Sequence, residues 1–170
     1  QLLLAATSGF TQYSYAFVQT EADFVEDTDF ARATALRERA GRLYRRAQGY
    51  GIRGLEEIHP DVIQSLRADQ EGTLNTFQKK DVGLLYWTAM AWGAAISLNK
   101  TDTELGAGLP LVEAMMKRAL ELDEGYQLGS IHDFFILYEG GRPAAAGGSV
   151  AEADLERYRE QERMRQEQLA

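Results

Sequence analysis

The sequence predicts an all-α domain built of antiparallel helix pairs, and three observations carry that prediction. Apolar residues recur at three- and four-residue steps through most of the chain, the period of a helix and not of a strand. Prolines number only three and β-branched runs are few, which argues against a β-rich fold. From Leu84 to Leu98 runs a segment that holds both tryptophans and no charge. Within it Leu84, Trp87, Ala91, Ala94 and Leu98 line one side of a helix, while Leu85, Ala89, Met90 and Ile96 cover others. A helix that is apolar all round is buried on all sides. The run is shorter than the roughly 20 apolar residues of a membrane span, so it reads as the central helix of a globular domain.

The 170 residues suffice for one domain with a sizeable core. An apolar share of 45% and a charged share of 26% are ordinary for such a domain. The net charge of −8 argues against duplex nucleic acid or an anionic membrane surface as a partner. The absence of cysteine excludes disulfides, thiolate catalysis and cysteine-based zinc sites. The chain begins at Gln1, without methionine and without the pattern of a signal peptide. The first residue of the gene, and any targeting segment, are expected upstream.

Leu2 to about Val25 reads as a helix, with Leu3, Ala6, Phe10, Tyr13, Phe17 and Phe24 in helical steps and Leu4, Tyr15, Val18 and Ala22 beside them. Thr28 or Asp29 then caps a helix from Phe30 to about Glu57. Ala33, Leu36, Ala40, Leu43, Tyr44, Ala47, Tyr50 and Leu55 form its inner side. Arg32, Arg37, Arg39, Arg42, Arg45 and Arg46 form a solvated face with few acids four residues away, the alternative being an anion site. His59-Pro60 ends it, because proline disfavours helical geometry in the residue before it. A short helix follows through Val62, Ile63 and Leu66. Asp69 to Lys80 is expected as a polar connector anchored by Leu74 and Phe77, with Asp81 opening the central helix.

Beyond Leu98 a turn carries Thr101 and Glu104 at capping-box spacing, and Gly106 and Gly108 limit any helix there. Pro110 opens an amphipathic helix, Leu111 to Asp123, with Val112, Met115, Met116, Ala119 and Leu122 inward and Gly125 placed to end it. A further helix is expected from about Gln127 to Glu139, burying Leu128, Ile131, Phe134, Phe135 and Tyr138. Gly140 to Gly148 is a loop by composition. Ser149 and Glu152 make a second capping box before a helix whose later part, Arg157 to Gln168, is almost wholly charged and amide. The division expected is therefore a helical-repeat domain over 1–149 and a charged C-terminal helix over 150–170, which either projects or meets another chain.

Two spacings point to a repeat. Ala40-x3-Tyr44-x2-Ala47 and Val112-x3-Met116-x2-Ala119 set a large residue between two small ones, or nearly so, as paired helices that approach closely require. Trp92-Gly93-x2-Ile96 and Leu128-Gly129-x2-His132 resemble the first-helix signature of a tetratricopeptide repeat, and the two former spacings resemble its second helix. The fold expected is a tetratricopeptide-like α-α superhelix with irregular connections.

Longer blocks carry a more specific resemblance. They are Gly9 to Gln19, Leu43 to Ala47, Leu85 to Ser97, Val112 to Asp123, Ile131 to Phe135 and Gly147-Gly148-Ser149. Through them the chain resembles the T-component proteins associated with TRAP transporters (the TatT family), helical lipoproteins with cryptic tetratricopeptide repeats. Family members continue with further helices, and after Ser149 this chain has the charged run in place of an amphipathic repeat helix. The resemblance implies a periplasmic protein, lipid-anchored through an upstream cysteine. It further implies a trimer with a cleft or channel in each protomer, and a non-enzymatic role beside the solute-binding subunit of a tripartite ATP-independent transporter. The alternative is a general tetratricopeptide-type scaffold for protein–protein interaction.

Site residues follow from residue type. Tyr86, Trp87 and Trp92 either fill the core or line an internal cleft with Tyr13 or Tyr138, because buried indole N–H and phenol O–H groups need partners. Met90, Met115 and Met116 suit the same space. His132 is either structural or ligand-lining; Asp133 beside it diverges by about 100° on a helix, so the two do not act as a pair. No zinc motif, P-loop, nucleophile elbow or dinucleotide fingerprint occurs, so neither metal nor cofactor is expected. A hydrolase would have to rest on dispersed carboxylates such as Asp133 or Glu139.

Overall fold

The computed structural model describes residues 1–141 together with Arg157, Arg159, Gln161 and Met164. The described residues are helical without a strand, so the chain is all-α. In order they form α1 (Leu2–Tyr13), a π-helical segment (Ser14–Gln19), α2 (Thr20–Val25), α3 (Phe30–Glu56), α4 (Val62–Ala68) and α5 (Gln70–Asn75). A 3-10 turn (Lys79–Asp81) leads to α6 (Val82–Leu98), then α7 (Thr103–Gly106) and α8 (Leu109–Leu122). A second 3-10 turn (Tyr126–Gly129) precedes α9 (Ser130–Gly141). Gln1–Ala119 and Leu120–Ala170 are two compact units. The expected Gly140-to-Gly148 loop lies almost wholly, and the Ser149 capping box wholly, outside the described residues. So does the C-terminal helix, apart from four of its positions, which are helical.

In the first unit, α3 packs against both α1 and α6, and α1 also meets α6. Asp29 caps α3, its carboxylate accepting from the Arg32 N–H at 3.0 Å. Ala33, Ala40, Tyr44, Ala47 and Leu55 are buried as the periodicity requires. Gly51 allows the close approach of α6: a Cβ there would stand 2.9 Å from Thr88 Cβ. Around Tyr44 the core joins Val18, Ala40 and Ala95, with Leu36, Leu98 and Leu105 packed on it. Its hydroxyl donates to Gln19 Oε1 at 2.8 Å. Burial, aided by the negative potential of Tyr15 and Asp23, pushes the phenol above its ordinary range.

The helix that opens the chain corrects the expected pattern. Its inward stripe is Thr7, Thr11, Ser14, Val18 and Ala22, while Tyr13, Phe17 and Phe24 point outward. Small residues win the inner side because α1 lies close against α3, where large rings would hold the two apart. The three hydroxyls can be buried because each donates to a carbonyl of its own helix. Thr7 donates to Leu3 O at 2.7 Å, Thr11 to Thr7 O at 2.7 Å and Ser14 to Phe10 O at 2.6 Å. The π segment, with its wider turn, keeps the four-residue steps from Ser14 through Val18 to Ala22 on one side.

Four smaller expectations also change. The 69–80 connector contains α5, which Asp69 caps by accepting from the Gly72 N–H at 2.9 Å. Its expected anchors Leu74 and Phe77 are buried. The turn after α6 is capped by Asp102 and not by Thr101. Gly125 does not supply a left-handed stop; that conformation falls on Gln127, Leu128 and Gly129. Leu128 is accordingly exposed, and the Leu128-Gly129-x2-His132 signature straddles a turn and the start of α9 instead of lying in one helix.

Candidate functional site

α6 is buried on nearly every side, as its uncharged sequence requires, yet one of its residues reaches an open cleft. The cleft has a volume of about 380 Å3 and lies wholly within the first unit. Its walls come from Arg45, Gln48 and Ile52 of α3 and from Ile63 and Arg67 of α4. Trp92 of α6 and Asp102, Glu104 and Leu105 at α7 complete it. Trp92 is 5% exposed, so only an edge of its indole meets the space. Its Nε1–H donates to Leu105 O at 3.4 Å. Gly108 is what lets the ring lie there, since a Cβ at that position would overlap the indole.

Asp102 organises the rim. One oxygen accepts from the Leu105 N–H at 2.9 Å and caps α7; the other takes the Arg45 guanidinium at 2.6 Å. The Leu105 N–H first, and Arg45 second, hold the Asp102 carboxyl below the usual carboxylate range. Arg67, by contrast, makes no ion pair with a described residue and stands exposed at the cleft. The arrangement offers the apolar side chains of Trp92, Ile52, Ile63 and Leu105, one charge pair already satisfied, and the exposed charges of Arg67 and Glu104, of opposite sign.

The six aromatic and histidine positions expected as ligand-lining are not brought into one space by any described cavity. Trp92 lines the cleft, and Tyr13 lines a separate hollow of about 290 Å3 with Ala5, Ala6, Gly9 and Phe10. Tyr86 and Trp87 are buried, packed edge to face with ring centroids 5.0 Å apart. In the second unit His132 is buried, its Nε2 3.4 Å from Glu124 Oε1. Asp133, next to it, is exposed, so the two do diverge. Tyr138 stacks on Phe134 at 5.3 Å. Met115 and Met116 are fully buried. Among the described residues no group of three or more His, Asp or Glu could hold a metal ion.

The sequence reading missed Arg45, Arg67, Asp102 and Gly108. Arg45 and Asp102 stand 57 positions apart, and their pairing has no local signature. Gly108 carries one in hindsight, as a glycine placed just before the helix that faces a tryptophan.

The sequence model of the TRAP transporter T-component (TAtT) family matches residues 1–169. An uncharacterized protein of Treponema pallidum (strain Nichols) is 31% identical over 160 residues, an alignment that takes in 89% of this chain and 48% of that protein. The chain thus spans about half the length of this curated relative. The match over nearly the whole length settles the family: the chain belongs to the TRAP transporter T-components.

Proposed function

We propose that the chain is a non-enzymatic accessory of a tripartite ATP-independent periplasmic transporter, docking its solute-binding subunit and sheltering part of an organic ligand beside Trp92. The cleft is the observation that carries the ligand role. Trp92, Ile52, Ile63 and Leu105 supply its apolar part, its Arg45–Asp102 pair is self-satisfied, and Arg67 and Glu104 remain to meet polar or charged ends of the ligand. Apolar side chains beside charged and amide groups of both signs suit holding a small polar organic molecule. Family membership supports the transporter setting and, with it, the periplasm. Among the described residues no helix is long and apolar enough to cross a membrane. Anchoring through a lipid on an upstream cysteine, assembly as a trimer, a tetratricopeptide-like stacking of the helix pairs and the division into 1–149 and 150–170 belong to the same proposal.

Titration calorimetry of this chain with a TRAP transporter's solute-binding subunit tests the docking. Association in the micromolar range is expected. No heat and no co-sedimentation at roughly 100 µM, which corresponds to binding weaker than about 5.5 kcal/mol, overturns the reading.

A further inference from the structure

The outward face of the first helix and one row of arginines on α3 form a surface of unusual composition for so acidic a chain. Residues 1–20 carry no charge. With the hydroxyl stripe turned inward, Phe10, Tyr13 and Phe17 are left on the outer side, Tyr13 43% and Phe17 67% exposed. Tyr13 and Phe17 stack at 5.5 Å, and Phe10 packs on Tyr50 of α3 at 5.7 Å. Beside these rings run Arg39, Arg42, Arg46 and Arg53, whose steps of three, four and seven place them on one helix face.

Three of the four arginines hold rings, while Arg42 stands 4.0 Å from Glu38. Arg39 donates to the Tyr13 hydroxyl at 3.4 Å, Arg46 lies over Phe10 at 5.7 Å and Arg53 over Tyr50 at 6.0 Å. Between Glu38 and Glu56 the sequence has five arginines and no acid; Arg45 pairs with Asp102 and Arg42 with Glu38, which leaves Arg39, Arg46 and Arg53 on the rings. At the other end of α3 the charges are matched: Arg32 pairs with Glu21, and Arg37 with Asp23 and Glu26. Positive charge is therefore segregated along α3 in a chain whose net charge is −8. Beside Arg46, the small residues Ala5, Ala6 and Gly9 open the hollow walled by Phe10 and Tyr13.

Aromatic rings with arginine, around a hollow that takes one apolar side chain, are the composition of energetic centres in protein interfaces. We infer that this strip is the docking surface for the solute-binding subunit, which meets it with an apolar knob ringed by acidic residues; the inference rests on the docking reading above. Charge complementarity selects that partner. A protein's local acidic patch touches only the arginine strip, whereas an anionic bilayer would also face the rest of this acidic chain. A hollow, moreover, fits a protruding side chain and not a plane.

Calorimetry with the purified solute-binding subunit tests this on two variants. Gly9→Leu fills the hollow from a position where an added Cβ meets nothing within 4 Å. The double substitution Arg39→Glu, Arg46→Glu reverses the strip. Circular dichroism and thermal melting confirm that each variant is folded. Each is expected to weaken binding by about tenfold or more, and the double variant to lose the salt dependence shown by the parent protein. If the parent protein binds and both variants bind as it does, the surface is wrong while the docking reading stands. If the parent protein does not bind, the docking reading falls and this inference with it. Flotation of the parent protein with phosphatidylglycerol vesicles, lost in the double variant, overturns the inference in favour of a membrane. Self-association lost in both variants overturns it in favour of a second copy of the chain.

Discussion

Phe17 on the first helix and Leu85 on α6 both sit in long uncharged runs, yet Phe17 is 67% exposed and Leu85 fully buried. α6 is enclosed because its neighbours approach it from several sides, α3 through Gly51 and α7 through the Trp92–Leu105 contact. The first helix packs against α3 and α6, and what it buries there is lined by hydroxyls and small residues. Apolar content alone does not say which residues a helix buries. What decides is how closely its neighbour must come.

The largest expected effect tests that contrast directly. Leu85→Ala removes a fully buried side chain and should lower stability by about 2–5 kcal/mol in urea denaturation. Phe17→Ala removes a larger side chain from the open face and should stay within about 0.5 kcal/mol. Comparable losses for the two would show that Phe17 is packed, and would end the distinction between the helices.

The same substitution at two glycines should give opposite signs. At Gly51, alanine drives a Cβ against Thr88 and should cost about 1–3 kcal/mol. At Gly9 nothing lies within 4 Å, and alanine should stabilise by about 0.5–1 kcal/mol through helix propensity. Thermal or urea melts of the two variants decide it. Destabilisation at both positions would mean that the outer face of the first helix is tightly covered.

These contrasts also mark what could be read from the sequence. The extent of α3 and the start of α6 were legible because Asp29 caps α3, His59-Pro60 follows it, and Asp81 directly precedes α6. The orientation of the first helix was not. Its aromatic series and its Thr7-Thr11-Ser14-Val18-Ala22 series share one period, and hydrophobicity favours the wrong one. Hydroxyls that bond their own helix are as buriable as small apolar groups, and no scale of residue hydrophobicity says so. The left-handed turn at Gln127 and Leu128 had no signal either, since neither residue type favours positive φ. Of the candidate site, Trp92 was legible as a buried ring in need of a partner. Arg45, Asp102 and Arg67 come from separate elements, and only folding brings them to one cleft.

The smallest expected effect concerns how each helix is tied to α3 at its charged end. The first helix is tied by Glu26 to Arg37, and the turn after α6 by Asp102 to Arg45. The guanidinium of Arg37 lowers the Glu26 carboxyl, whereas for Asp102 the capped Leu105 N–H acts first and Arg45 second. A carboxyl lowered in the folded state contributes stability that is fully present above its unfolded value. That contribution is lost as pH falls through the lower folded value. Both sites are open to solvent, so the effects are modest and weaken with salt. Asp102→Asn keeps a side chain that can cap α7 but gives up the charge held by Arg45. Its melting temperature should therefore lie below that of the parent protein at neutral pH. The gap should narrow as pH is lowered from about 5 past the ordinary aspartate value of about 3.9 and close once the folded carboxyl is protonated. Glu26→Gln, which has no cap to retain, should show the same closing gap and no change in the exposure of Trp92 by fluorescence. A gap for Asp102→Asn that persists unchanged to about pH 2 would mean that the charge on Asp102 adds nothing, in the cap or in the ion pair with Arg45, and that asparagine caps α7 less well.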